Sequence, residues 1–234
     1  IIFSAILLSF GLSSWGGNQF FIIPIGLFIL ALPFVKKDHK FLLWCIPLFV
    51  GTFLLISGSF ERPGLPFVFG IGGISLIIPT LFLITTIFVQ KINKDRNKIK
   101  NSLFLLISVI IIGIFSLFVI DAVDKEALPS FRYLNALNPF LTSNDSLVDS
   151  VAEHASTSTD ISFLLHSVWM IFGGLGIWII LSRKISQTKT FVKNDMTVFL
   201  LILGITGVYV SSVFVRLELF ASISLIMLSS VGLA

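Results

Sequence analysis

An all-helical membrane protein, with about eight transmembrane helices and one long external loop, is the fold this sequence predicts. Three observations carry that expectation. Charged residues make up 12% of the 234-residue chain, about half the share in water-soluble domains. Apolar runs of roughly 20 residues recur from end to end, the length a helix needs to cross hydrocarbon. Mean hydropathy is +1.03, and the 25 phenylalanines are more than a soluble core can hide behind a polar surface.

The apolar segments run near 1–14, 19–35, 41–59, 67–89, 103–120, 161–182, 196–213 and 217–234. Helices are the expected spanning form, because backbone amides in lipid must bond within their own segment. A β-barrel would need alternating runs of about ten residues, and these runs are continuous and longer. Two glycine-rich stretches, Gly70-Ile71-Gly72-Gly73 and Gly173-Gly174 with Gly176, fall inside apolar segments. There, small residues serve close helix packing better than phosphate binding. Cys45 lies alone in an apolar run, which excludes a disulfide framework and marks it as a small buried packing residue. The chain starts at Ile1 and stops at Ala234, each inside an apolar run. The expectation is a partial transmembrane domain over 1–234, cut at both ends.

Orientation follows from the basic residues. Lys36, Lys37 and Lys40 form one cluster, and Lys91, Lys94, Arg96, Lys98 and Lys100 a second. Arg183, Lys184, Lys189 and Lys193 form the third. Alternate loops thus hold twelve of the sixteen basic residues, accompanied only by Asp38, Asp95 and Asp195. The opposite loops and helix ends carry Arg62, Lys125, Arg132 and Arg216 against nine acids. One topology satisfies every loop, with the basic clusters cytoplasmic and 121–160 external. The same clustering, with no basic stripe along one face, excludes nucleic acid as the partner of the net +4 charge.

The 121–160 loop concentrates the chemistry. It holds Asp121, Asp124, Glu126, Asp145, Asp149, Glu153, His154 and Asp160. Phe131, Tyr133, Leu134 and Phe140 are apolar anchors that predict partial order. Asp160 is placed to cap the next helix. Within Ser150-Val151-Ala152-Glu153-His154, a carboxylate beside an imidazole suits a divalent cation or an acceptor amide. A solvated loop pair is the plain alternative. Arg216, in Tyr209-Val210-Ser211-Ser212-Val213-Phe214-Val215-Arg216-Leu217-Glu218, either binds an anion such as phosphate or pairs with Glu218. His166 lies within an apolar segment and reads as packing in the bundle interior, and Arg132 as half of a loop salt bridge. No catalytic triad, phosphate-cradling loop or zinc spacing is present.

Ser150 to His154, preceded by Asn138-Pro139-Phe140, resembles the external-loop motif of the oligosaccharyltransferase catalytic subunit shared by archaea and eukaryotes. The stretch Tyr209 to Leu217 resembles that family's Val-Arg-Leu segment. Ser14-Trp15-Gly16-Gly17, followed by Phe20-Phe21-Ile22-Ile23-Pro24, is similar to its Trp-Gly-Gly turn between two spans. The three motifs stand in the family's order and cover nearly the whole chain. The resemblance implies a membrane catalytic domain that moves a glycan from a polyprenyl (dolichol) phosphate or diphosphate onto asparagine in Asn-X-Ser/Thr. It assigns Glu153 to the catalytic site, as metal ligand and partner of the acceptor amide, and Arg216 to the lipid-linked phosphate. His154, Tyr209 and Trp15 are further site candidates on the same motifs. The implied cofactor is a divalent cation, Mn2+ or Mg2+. The implied partners are the lipid-linked oligosaccharide donor, the acceptor polypeptide and membrane lipids. The site would face outward across a cell membrane, or into the lumen of an endoplasmic reticulum. The family's aspartate motifs and its Trp-Trp-Asp domain have no counterpart here and are expected upstream and downstream.

Two other classes compete. Another polyprenyl-phosphate-sugar glycosyltransferase would share the lipid phosphate site without the Trp-Trp-Asp domain. A transporter would place polar groups at mid-membrane, often in repeated halves; here the acids gather in one loop and no repeat is visible.

Overall fold

The computed structural model describes residues 1–35, 39–92, 100–111, 159–182, 194–211 and 217–233. Every regular element among the described residues is helical. The chain divides into two compact units, Ile1–Leu128 and Pro129–Ala234.

In the first unit, α1 (Ile2–Ser14) leads through a 3-10 turn at Gly16–Phe21 into α2 (Ile22–Val35). There follow α3 (His39–Ser59), the short α4 (Gly64–Phe69), α5 (Ile71–Ile92) and α6 (Lys100–Ile111). Among the described residues three stretches are long and apolar enough to cross a membrane: Gly16–Val35, Lys40–Ser59 and Ile71–Lys91. Their outer surfaces point the same way. Trp44 is 80% exposed and Leu55 78%, a surface suited to hydrocarbon rather than water.

α1 packs on α3, and α2 on α5. The core between them is built from large side chains, with Phe53 fully buried among Leu12, Leu42, Phe67 and Leu76. The Phe53 ring stacks on Phe49 and meets Phe67 edge-on at 6.1 Å. Two serines supply the polar tie: Ser57 donates to Ser9 at 3.2 Å, and Ser9 donates to the Ala5 carbonyl at 2.9 Å. The α2–α5 crossing has a different cause. Pro79 lies inside α5 and has no N–H, so the Ser75 carbonyl one turn earlier loses its helical partner. Gly26 of α2 lies against that carbonyl, where a Cβ would overlap it. A glycine Cα–H is the weak donor that can approach so closely.

Three sequence expectations change. The apolar segment 67–89 is not one helix: α4 ends at Phe69, Gly70 is extended (φ −85°, ψ −169°), and α5 starts at Ile71. Gly70 makes this turn, while Gly72 and Gly73 lie in the first turn of α5 and allow α4 to pack closely on it, the packing role expected of them. A Cβ on Gly73 would overlap the Val68 carbonyl, and one on Gly72 the Phe67 ring. Asp160 is not the cap of its helix, which begins at Thr159; it sits in the first turn, where a carboxylate complements the helix dipole. Cys45 is half-buried rather than buried.

The second unit contains α7 (Thr159–Leu181), α8 (Asn194–Ser211) and α9 (Glu218–Leu233). α9 packs on both α7 and α8, and small residues mediate both contacts. A Cβ on Gly207 of α8 would overlap the Ser224 hydroxyl, and one on Gly204 the Leu228 side chain. On the other side, a Cβ on Gly176 of α7 would overlap the Leu228 carbonyl, and one on Gly232 the Phe172 carbonyl. The packing role expected of Gly173 and Gly176 therefore holds, with Gly173 facing Leu225 and Leu228. Gly174 faces open space. Serine hydroxyls add ties to backbone carbonyls: Ser224 donates to Leu203 at 3.1 Å and Ser229 to Trp169 at 3.0 Å.

Candidate functional site

Of the residues singled out from the sequence, Glu153, His154 and Arg216 lie outside the described residues, as does nearly all of 121–160. Trp15 and Tyr209 lie inside. Trp15 ends α1 with an extended backbone, its N–H donating to the Gly11 carbonyl at 3.1 Å. Its ring occupies the space where a Cβ on Gly17 would stand. Asn18 returns from the turn, its side-chain amide donating to the same Gly11 carbonyl at 2.6 Å. Trp15, Gly17 and Asn18 therefore act together to shape the turn between α1 and α2. Tyr209, in the last turn of α8, is 43% exposed.

The second unit holds a polar cluster built around His166. This residue stands about 10 Å along α7 from Thr159 at the helical rise and is only 4% exposed. Its Nε2 shares a hydrogen bond of 2.7 Å with the Ser222 hydroxyl. Its Nδ1 is 3.8 Å from Oε1 of Glu218, within ion-pair range for a protonated ring and too long for a hydrogen bond. Ser222 also lies 3.2 Å from the Glu218 backbone carbonyl, to which its hydroxyl donates. One imidazole therefore spans two side chains that are four residues apart on one face of α9. Glu218 occupies the first turn of α9, where the helix dipole favours its negative charge.

The direction of the helices gives this cluster its place. His166 meets Glu218 and Ser222, Gly173 meets Leu225, and Gly176 meets Gly232. Residue numbers rise together, so α7 and α9 run parallel. On α8 the order reverses, with Gly207 against Phe220 and Gly204 against Leu228, so α8 runs antiparallel to both. The beginnings of α7 and α9 and the end of α8 share one end of the unit. In sequence, Glu153 and His154 precede α7, and Arg216 precedes α9 by two residues.

Among the described residues, no three His, Cys, Asp or Glu side chains gather as a metal site would require. His166 and Glu218 offer one nitrogen and one carboxylate, which does not fit an octahedral, oxygen-seeking ion such as Mg2+. No protein-family model matches the chain, and no curated protein does.

Sequence reasoning placed His166 in the bundle interior, which its burial bears out, but missed its partners. Glu218 was weighed only as a partner of Arg216, and Ser222 not at all. The available signal was the spacing of Glu218 and Ser222, which puts a carboxylate and a hydroxyl on one face at the start of a helix. What joins them to a histidine 56 residues away from Ser222 is helix pairing, and a single sequence does not display it.

Proposed function

We propose that this chain is part of the multi-span catalytic domain of an oligosaccharyltransferase. It transfers a glycan from a polyprenyl phosphate or diphosphate to the asparagine of Asn-X-Ser/Thr. The single observation that carries the reading is the parallel pairing of α7 and α9. It brings the starts of the two helices to one end, and in sequence each start is preceded by a motif-bearing segment. One carries the Glu153 motif, the other the Arg216 motif.

The bilayer reading supports it. The 23 residues of α7 extend roughly 34 Å at the helical rise, enough for about 30 Å of hydrocarbon. With α8 following α7 and preceding α9 in sequence and antiparallel to both, the three suit consecutive spans. The reading keeps the eight-span topology expected from hydropathy and charge, with the basic loops cytoplasmic and 121–160 outside. A lipid-anchored donor presents its phosphate at the membrane boundary, where Arg216 precedes α9. A guanidinium binds it bidentately and meets the negative charge that grows on the leaving phosphate. Glu153 orients the acceptor amide, a weak nucleophile whose reaction gains most from positioning. A divalent ion held with Glu153 would supply further charge stabilisation.

Glu153→Gln in the full-length protein tests this directly. The substitution removes a charge and changes volume little. Transfer to an Asn-X-Thr peptide is expected to fall at least about 100-fold, the scale of lost electrostatic or acid–base assistance, with expression unchanged. Near-normal transfer would remove Glu153 from the catalytic site.

A further inference from the structure

In the first unit, α2 and α5 run parallel: Gly26 meets Ser75, and further along the rings of Phe34 and Phe82 stack at 6.3 Å. Along the starts of both helices lies an open groove of about 320 Å3. Ile23, Leu27 and Leu30 form one wall, and Ile71, Ile74 and Ile78 the other. Each trio recurs every three or four residues, so it lines one face of its helix. Gly26 and Pro79 are buried between the walls. A Cβ on Gly26 would overlap the Ser75 carbonyl, so the groove owes its depth to a position that cannot carry a side chain. It begins where both helices begin, at Ile23 and Ile71, and runs about 10 Å at the helical rise. The Phe34–Phe82 bridge between the helices then closes it.

We propose that this groove holds one hydrocarbon tail of a bilayer lipid, its headgroup at the membrane boundary beside Ile23 and Ile71. The proposal rests on the bilayer placement of α2 and α5, which belong to two of the three stretches long and apolar enough to cross a membrane. It does not depend on glycan transfer. The lining sets the chemistry. Ser75 is its one polar side chain, and that hydroxyl already donates to the Gly72 carbonyl at 2.7 Å. The groove therefore offers hydrocarbon contact without polar recognition. Its rims at Ile23, Leu27, Ile74 and Ile78 are exposed, which makes it continuous with the lipid-facing surface of the same helices. Ligand clefts run from about 300 to 1,000 Å3, so this one suits a single tail. Isoleucine supplies four of the six wall residues, and its β-branch fixes χ1 in a helix, so the walls are preformed. A further helix is a poorer occupant. Helices in hydrocarbon associate through small residues and hydroxyls, and this protein follows that rule. Ser9 and Ser57 join α1 to α3, Gly58 receives α4, and glycines join α9 to α7 and α8. The groove's own Gly26 is spent on the α2–α5 crossing, and its rims are isoleucine and leucine.

The experiment uses the purified full-length protein, washed in mild detergent and titrated with phosphatidylglycerol. Native mass spectrometry counts the phospholipids that stay bound and reads their affinity. The wild-type protein should keep one phospholipid through the wash. Leu27→Trp and Ile74→Trp put an indole into the groove, one from each wall. Each should lose that lipid and raise its dissociation constant at least about 10-fold, the effect of excluding two methylenes. Leu55→Trp, on the exposed side of α3, should bind lipid as the wild type does. Wild-type retention in both groove variants overturns the proposal. Equal loss from Leu55→Trp also overturns it, because the bound lipid would then belong to the general annulus. If one groove variant fails to fold, the other decides. A photoreactive side chain at Ile78 gives a second reading and should cross-link to phospholipid. Cross-linking to protein would show that a helix covers the groove, and overturns the proposal. So does retention of a polyprenyl phosphate alone when both lipids are offered, which would make the groove a donor site.

Discussion

The two units strike different balances in helix packing, although the α2–α5 crossing of the first also relies on Gly26. In the first, large side chains fill the space between helices, and Phe53, Leu76 and Leu83 are fully buried. In the second, α9 lies against its neighbours through Gly173, Gly176, Gly204, Gly207 and Gly232. Hydrocarbon offers apolar surfaces no reason to associate, so helices in it gain chiefly from dispersion and from interhelical hydrogen bonds. Large interlocking side chains supply the first. Close backbone approach through glycines supplies the first as well, and serine hydroxyls bond carbonyls of the next helix in both units, Ser9 to Phe53 in the first and Ser224 to Leu203 in the second. The buried histidine belongs to the second unit, where side chains of α9, Ser222 and Glu218, face it.

The two architectures should fail in opposite ways. Phe53→Ala should destabilise the first unit by about 3 kcal/mol, since it removes a fully buried ring that packs on Phe49 and Phe67. Gly207→Val should damage the second by a similar amount, about 3 kcal/mol, by driving a branched side chain into Ser224 and Phe220. Gly174→Ala, facing open space, is the control and should leave stability unchanged or slightly raised. Thermal unfolding in detergent measures all three. If Gly207→Val is as harmless as Gly174→Ala, close glycine packing is not what holds α8 to α9.

A smaller effect of opposite sign sharpens the picture. Thr86 is 1% exposed, and among the described residues its hydroxyl has no hydrogen-bond partner. Thr86→Val replaces that hydroxyl with a methyl of nearly the same shape. Removing an unsatisfied buried polar group should be neutral or stabilising, by up to about 1 kcal/mol. A clear loss of melting temperature would mean that the hydroxyl has a partner in the folded protein.

The helices were legible because apolar length is a strong signal, and α1, α3 and α7 fall close to where hydropathy puts them. The break at Gly70 was not, because hydropathy records composition and is blind to backbone direction. Leu65, Phe67, Phe69 and Ile71 are as apolar in a turn as in a span. Gly70, Gly72 and Gly73 could have marked it, yet glycines at Gly173 and Gly176 lie within an unbroken helix, so the residue type alone does not decide. The site divides in the same way. Glu153 and Arg216 stand out as motif residues, whereas the linking of His166 to Glu218 and Ser222 depends on which helices become neighbours.

The central claim is asparagine-linked glycan transfer at a site to which α7 and α9 lead. The most direct measurement incubates the purified full-length protein with a polyprenyl-diphosphate oligosaccharide and two peptides, one with Asn-X-Thr and one with Gln-X-Thr. Mass spectrometry then reads the product. The account predicts glycan attached to asparagine in the first peptide and none on the second. Transfer to another acceptor, or donor consumption with neither peptide modified, would contradict it.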